Sequence, residues 1–166
     1  DVTGDPVDTS GPAAKVMPTL LTGSHVMNLT PSQSVKTRRM RLKRDGDIWT
    51  IGGMTWDEVM KSGYKKVLAD PDLNDVEIWE VENRSGTPHN FHPHDVRFRV
   101  VEYAGGPPPA HLQGLKDTVY IPPGETVRLV TEFHDYADAD LPYMFHCHVL
   151  QHEDRGMMGQ YTVVER

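Results

Sequence analysis

The only cysteine of the chain, Cys147, stands in the run Tyr143-Met144-Phe145-His146-Cys147-His148, with His152 four residues beyond His148 and Met157 five beyond that. A soft thiolate, imidazoles and a thioether are the ligand set of a blue copper site. The apolar and aromatic run predicts a strand from Tyr143 to His148. Side chains alternate along a strand, so His146 and His148 face one way and Cys147 the other. One triplet then serves two metal centres. On the Cys147 side the chain must leave the strand and turn back before His152 and Met157 can reach the sulfur, and Gly156 supplies a bend there.

A second histidine group lies upstream in His89-Asn90-Phe91-His92-Pro93-His94. His92 and His94 share a face by the same period of two, while His89 falls outside that pair. The two groups sort evenly: Cys147, His89, His152 and the weak axial Met157 complete one trigonal site, leaving His92, His94, His146 and His148 for a second. Four imidazoles from two strands suit a multinuclear copper centre. Zinc also takes Cys and His, in closed tetrahedral sites. It has no use for Met157, and a strand that divides its ligands between two faces builds a single four-ligand cage poorly.

These motifs, His-x-x-His-x-His followed by His-Cys-His-x-x-x-His-x-x-x-x-Met, resemble those of the last cupredoxin domain of multicopper oxidases, the laccase, cuprous oxidase and bilirubin oxidase group. Gly114-Leu115-Lys116-Asp117-Thr118-Val119 and Ile121-Pro122-Pro123-Gly124-Glu125-Thr126-Val127 support the likeness, which covers roughly residues 37 to 166 and is specific because the pattern is long. Asn90 stands where the family usually has Pro, and Asp95 where it has Gly. Neither position supplies a ligand.

The rest of the sequence is compatible with this reading. A net charge of −7 argues against a nucleic-acid partner, which would call for a basic stripe. No apolar run reaches the length of a membrane span. The lone cysteine excludes an intrachain disulfide. The chain opens on Asp1 rather than Met, as a processed or excised piece of something longer would. Residues 1 to 36, rich in Pro, Gly, Ser and Thr, read as an interdomain linker or extended N-terminal segment, with Val16-Met17 and Leu20-Leu21 as an apolar patch that can pin it to another domain.

Order is expected from about Thr37. Arg39–Lys43 and Ile48–Ile51 flank Asp45-Gly46, a hairpin turn signal. Trp56, Val59 and Met60 fall at helical spacing behind a Thr55 or Asp57 cap. Strands are predicted over 75–83, 96–100, 118–121, 125–133, 143–148 and 159–165, with the strand at 75–83 central because both its faces are partly apolar. His134–Asp140 reads as an exposed acidic connection, and the Gly/Pro loop 104–109 as a candidate wall of a substrate cleft. His25, His111 and His134 have no ligand spacing. About eight short strands with closely spaced turns argue an all-β, two-sheet Greek-key sandwich. The resemblance specifies a cupredoxin-like barrel with short helical segments.

The resemblance further implies a domain at 37–166 that carries a type 1 copper on His89, Cys147, His152 and Met157 and half of a trinuclear cluster on His92, His94, His146 and His148. Cys147, continuous with His146 and His148, passes single electrons from a small reducing substrate to that cluster, where dioxygen becomes water. Glu153 is the acidic residue that feeds protons. Eight imidazoles from two domains build such a cluster, so the partner is another cupredoxin domain of the same enzyme or of another chain. The resemblance also implies a periplasmic or secreted location. There is no methionine-rich insert to suggest a cuprous-ion specialist, and small aromatic donors are favoured. A cupredoxin that only carries electrons has no need of the four additional histidines. A copper nitrite reductase-like domain would have a non-ligand where His148 stands.

Overall fold

The computed structural model describes residues 25–166; the patch at Val16-Met17 and Leu20-Leu21 lies outside them. Among the described residues nine strands form two sheets, as expected for the sandwich. In chain order they are β1 (Lys36–Asp45), β2 (Ile48–Ile51), β3 (Val76–Asn83), β4 (His89–Pro93), β5 (Phe98–Tyr103), β6 (Val119–Ile121), β7 (Thr126–Glu132), β8 (Asp138–Cys147) and β9 (Met158–Val163). One sheet runs β2-β1-β3-β7-β5 and the other β6-β4-β8-β9. Strand β1 pairs in parallel with β3, and the remaining ladders are antiparallel.

Strand β3 is central, between β1 and β7, and its residues are almost all buried. Trp79 on this strand gathers the rings of Phe91, Phe133, Phe145 and Tyr161, at centroid distances of 5.3–6.3 Å. Each of these side chains is essentially inaccessible, and burying one contributes about 1.5–3 kcal/mol. Phe91 and Phe145 come from β4 and β8, the strands that carry the histidines. The aromatic core therefore holds these two strands at fixed spacing. Phe145 also lies against Gly159 on β9, where a Cβ would come within 2.5 Å of the ring, so only glycine lets β9 approach this closely.

Helix α1 (Trp56–Lys61) begins as predicted, with Thr55 accepting from the Glu58 amide and Glu58 reaching back to the Thr55 amide at 2.9 Å. This reciprocal cap satisfies two amides that the helix cannot. A second helix, α2 (Leu150–Glu153), is one turn placed between β8 and β9.

Several boundaries differ from expectation. Order begins before Thr37: a 3-10 turn at His25–Asn28 buries Val26, and Leu29 joins it against Val76 and Val130, so apolar contact rather than periodicity orders this segment. The acidic stretch does not remain a connection. Strand β8 starts at Asp138 and pairs Asp138 with Val163, with a register shift before Tyr143 pairs with Tyr161. Its first residues are exposed, which is why their polarity concealed a strand. Strand β5 begins at Phe98 rather than Val96, although Val96, Phe98 and Val100 are all buried. Pro93 ends β4, as its missing donor requires.

Candidate metal centre

The turn Asn83–Pro88 delivers His89. Asn83 is fully buried, with its amide nitrogen 2.8 Å from Thr87 O, 3.1 Å from Ile121 O and 3.0 Å from Pro122 O. Its Oδ1 accepts from the Ser85 amide and hydroxyl, both at 2.9 Å. Ser85 Oγ in turn lies 2.6 Å from His89 Nε2. A proton on Nε2 is donated to Ser85, which leaves the Nδ1 lone pair free to face inward.

Inward lie Cys147 and His152. The structure places His89 Nδ1 and His152 Nδ1 3.1 Å apart, and Cys147 Sγ 3.5 Å from the first and 3.4 Å from the second. The centre of this nearly equilateral triangle is about 2 Å from each atom, the length of a bond from a first-row metal ion to imidazole. All three residues are buried. Helix α2 presents His152, and the Met157 amide donates to the His152 carbonyl at 3.0 Å while the Met157 carbonyl accepts from the Cys147 amide at 3.1 Å. Met157 is fully buried in this closed loop. Gly156, at φ +83° and with Trp56 Cβ only 3.3 Å from where its own Cβ would be, makes the bend.

The site is electrically neutral without an ion. Burial, and then the nearby His152, hold His89 down at about 4. Burial also lowers His152, helped by Arg44 and Arg155. It pushes the Cys147 thiol up, against the pull of the Asn90 and Val149 amides. A thiolate here needs a cation to replace its proton, so metal binding and proton release are linked.

The other side of the strands carries a second cluster. His92, His94 and His146 bring their ligand atoms within 4.8 Å of one another, with His94 Nε2 3.1 Å from His146 Nε2. His148 is exposed beside them, its ring 5.4 Å from those of His92 and His146. Strand β8 ends at Cys147 rather than His148, yet the His148 amide still donates to the Asn90 carbonyl at 2.7 Å. His92 is oriented through Nδ1, 2.7 Å from the Asp117 carbonyl and 3.1 Å from Thr118 Oγ1. Glu153 places Oε2 3.3 Å from His146 Nδ1, within ion-pair range but without hydrogen-bond alignment. Asp95, where the resemblance expects Gly, has a φ of 71°, the left-handed region that glycine enters most easily and Asp tolerates.

Sequence reasoning gave Ser85 and Trp49 no role at the site. Trp49 stacks on His152 at 4.5 Å and meets His89 edge-on at 6.2 Å, because the β1–β2 hairpin folds over helix α2. Outside it is a groove of about 470 Å³ lined by Asp47, Trp49, Trp56, Met60, Asp154 and Arg155 among others. Loop 104–109, the expected cleft wall, does not line this groove.

Comparison with known proteins agrees with this geometry. The family described as multicopper oxidase matches residues 28–166. A multicopper oxidase of Staphylococcus haemolyticus is 35% identical over 131 residues, 76% of this chain and 27% of that protein. A bilirubin oxidase of Albifimbria verrucaria is 36% identical over 161 residues, 93% of this chain and 26% of that protein. The crystal structure of the McoA multicopper oxidase of Aquifex aeolicus superposes with a TM-score of 0.74 at 34% identity, covering 85% of this chain and 32% of that one. The chain thus spans about a quarter of the length of these curated relatives.

Proposed function

The chain belongs to the multicopper oxidase family, and from that premise we propose that residues 37–166 are an oxidase domain that holds one copper by itself and half of a cluster completed by another domain. On this reading His89, Cys147, His152 and Met157 hold a type 1 copper, while His92, His94, His146 and His148 hold their share of a type 2/type 3 cluster, with residues 1–36 leading in as an interdomain linker or extended N-terminal segment whose end packs on the domain through Val26 and Leu29. Bound copper would supply one-electron chemistry at the first site and reduction of dioxygen to water at the second. The observation that carries the proposal is the division of β8. Cys147 turns inward to His89 and His152, and His146 turns outward to His92 and His94.

The chain's own residues then have distinct tasks. Cys147 is joined through the backbone to His146 and His148, a short through-bond connection between the clusters. Glu153, with a side chain 30% exposed and Oε2 beside His146 Nδ1, exchanges protons with solvent and carries them toward the histidines. Trp49 closes the outer side of His152 and excludes water from the thiolate pocket. The groove beyond it, with two indole faces and a methionine, has a volume within the range of small-molecule sites and suits a small aromatic donor. A location outside the cytoplasm, periplasmic or secreted, accords with the resemblance to laccases. Among the described residues no helix is long and apolar enough to cross a membrane.

This chain contains four cluster histidines, so it is not expected to reduce dioxygen to water alone. Oxygen uptake by the purified, copper-loaded chain with an easily oxidised phenol should stay at background. Full four-electron turnover by a demonstrated monomer would overturn the proposal.

A further inference from the structure

Away from both clusters, at the opposite end of β7 from the hairpin loop that precedes it, His25, Glu132 and His134 converge. Sequence spacing gives no hint of this, since His25 and Glu132 are 107 residues apart. Their ligand atoms lie within 4.8 Å of one another, and His25 Nε2 is 2.5 Å from Glu132 Oε2. The two imidazole rings meet edge to face at 5.0 Å. We propose that these three side chains form a surface site for one divalent transition-metal ion, and that the ion fastens the segment entering the domain to the end of β7.

The donor set argues for the class of ion. Two imidazoles and a carboxylate suit Zn²⁺ or Cu²⁺, whereas Mg²⁺ and Ca²⁺ prefer oxygen ligands. Bonds of about 2.0–2.2 Å put ligand atoms of a tetrahedral ion roughly 3.4 Å apart, so the side chains must rearrange by about an ångström. They have the room, with His25 and Glu132 side chains 57% and 21% exposed. The backbone beneath is held: Val26 and Leu29 are buried against Val76 and Val130, and Glu132 pairs with Val76 in the β3–β7 ladder. His134 also lies within electrostatic reach of Asp95, which in turn feels Asp135, so the surroundings add negative charge. Three protein ligands leave room for water or a further group at the ion.

The test is a titration of the isotopically labelled, copper-free chain with Zn²⁺ alone, following each imidazole by two-dimensional NMR. The expected result is that His25 and His134 respond together and saturate, independently of His89 and His152. In His134→Ala the His25 response should be lost, and in Glu132→Gln it should weaken at least tenfold, with the spectrum of the sheet unchanged in both. Mg²⁺ should leave both rings unmoved. The proposal is overturned if the His25 and His134 signals do not move while the other histidines bind, if His25 responds equally in His134→Ala, or if Mg²⁺ produces the same response.

Discussion

Ser85→Ala removes a single oxygen, and the structure sets what that costs. His89 is fully buried, and the Ser85 hydroxyl at 2.6 Å is the partner of its Nε2. Without it a buried N–H loses its acceptor, a penalty of about 1–3 kcal/mol. The hydroxyl also faces Asn83 Oδ1 at 2.9 Å and the Thr87 carbonyl at 3.0 Å, but each of these acceptors keeps another donor: Asn83 Oδ1 the Ser85 amide at 2.9 Å, and the Thr87 carbonyl Asn83 Nδ2 at 2.8 Å. The loss therefore falls on His89 and, over a longer bond, on the Thr87 amide that donates to the same hydroxyl at 3.3 Å, and denaturant titration of the copper-free chain should read it. Partners that orient a metal-binding histidine are typically worth about 10–100-fold in metal affinity. Competition titration with a copper chelator should show a loss of that size in Ser85→Ala and recovery in Ser85→Thr, which keeps the hydroxyl. Unchanged stability and unchanged copper affinity in Ser85→Ala would refute the reasoning and leave His89 positioned by the backbone alone.

Two further outcomes follow from the same pocket. The Asn90 amide favours charge on the Cys147 sulfur, and hydrogen bonding at that sulfur tunes a blue copper potential; Asn90→Pro should keep the fold and lower the potential, whereas a rise would contradict an N–H acting on the sulfur. His89 titrates at about 4 when folded against 6.5 in its ordinary state, so the unfolded chain binds more protons between these values. The copper-free protein has the full contribution above pH 6.5 and should lose up to roughly 3 kcal/mol as the pH falls to 4. Equal denaturation midpoints at pH 7.5 and 4.5 would oppose this.

The separation of Cys147, with His89 and His152, from His146, with His92 and His94, was legible because a strand's period of two is rigid over so short a run. Helix α1 was legible because Thr55 and Glu58 form their cap locally. What escaped the sequence depends on distant pieces meeting. Trp49 reads as an ordinary strand residue until the β1–β2 hairpin lies over His152. Ser85 reads as a turn residue until Asn83 draws the turn around His89. His25 and His134, isolated in sequence, come together because β7 ends where the incoming segment settles on Val76 and Val130. The first residues of β8 were missed for the reverse reason, since Asp138 and Asp140 are exposed on a strand whose pairing is set by β9.

The central claim is that Cys147, His89 and His152 hold one copper while the neighbours of Cys147 face elsewhere. The most direct measurement is the absorption spectrum on titrating the chain with Cu²⁺, for the wild type and Cys147→Ser, with circular dichroism to confirm that both are folded. The account predicts an intense blue thiolate-to-copper band in the wild type and none in Cys147→Ser, whose spectrum of secondary structure is unchanged. A blue Cys147→Ser protein, or a wild type that binds copper at this site without the band, would contradict it.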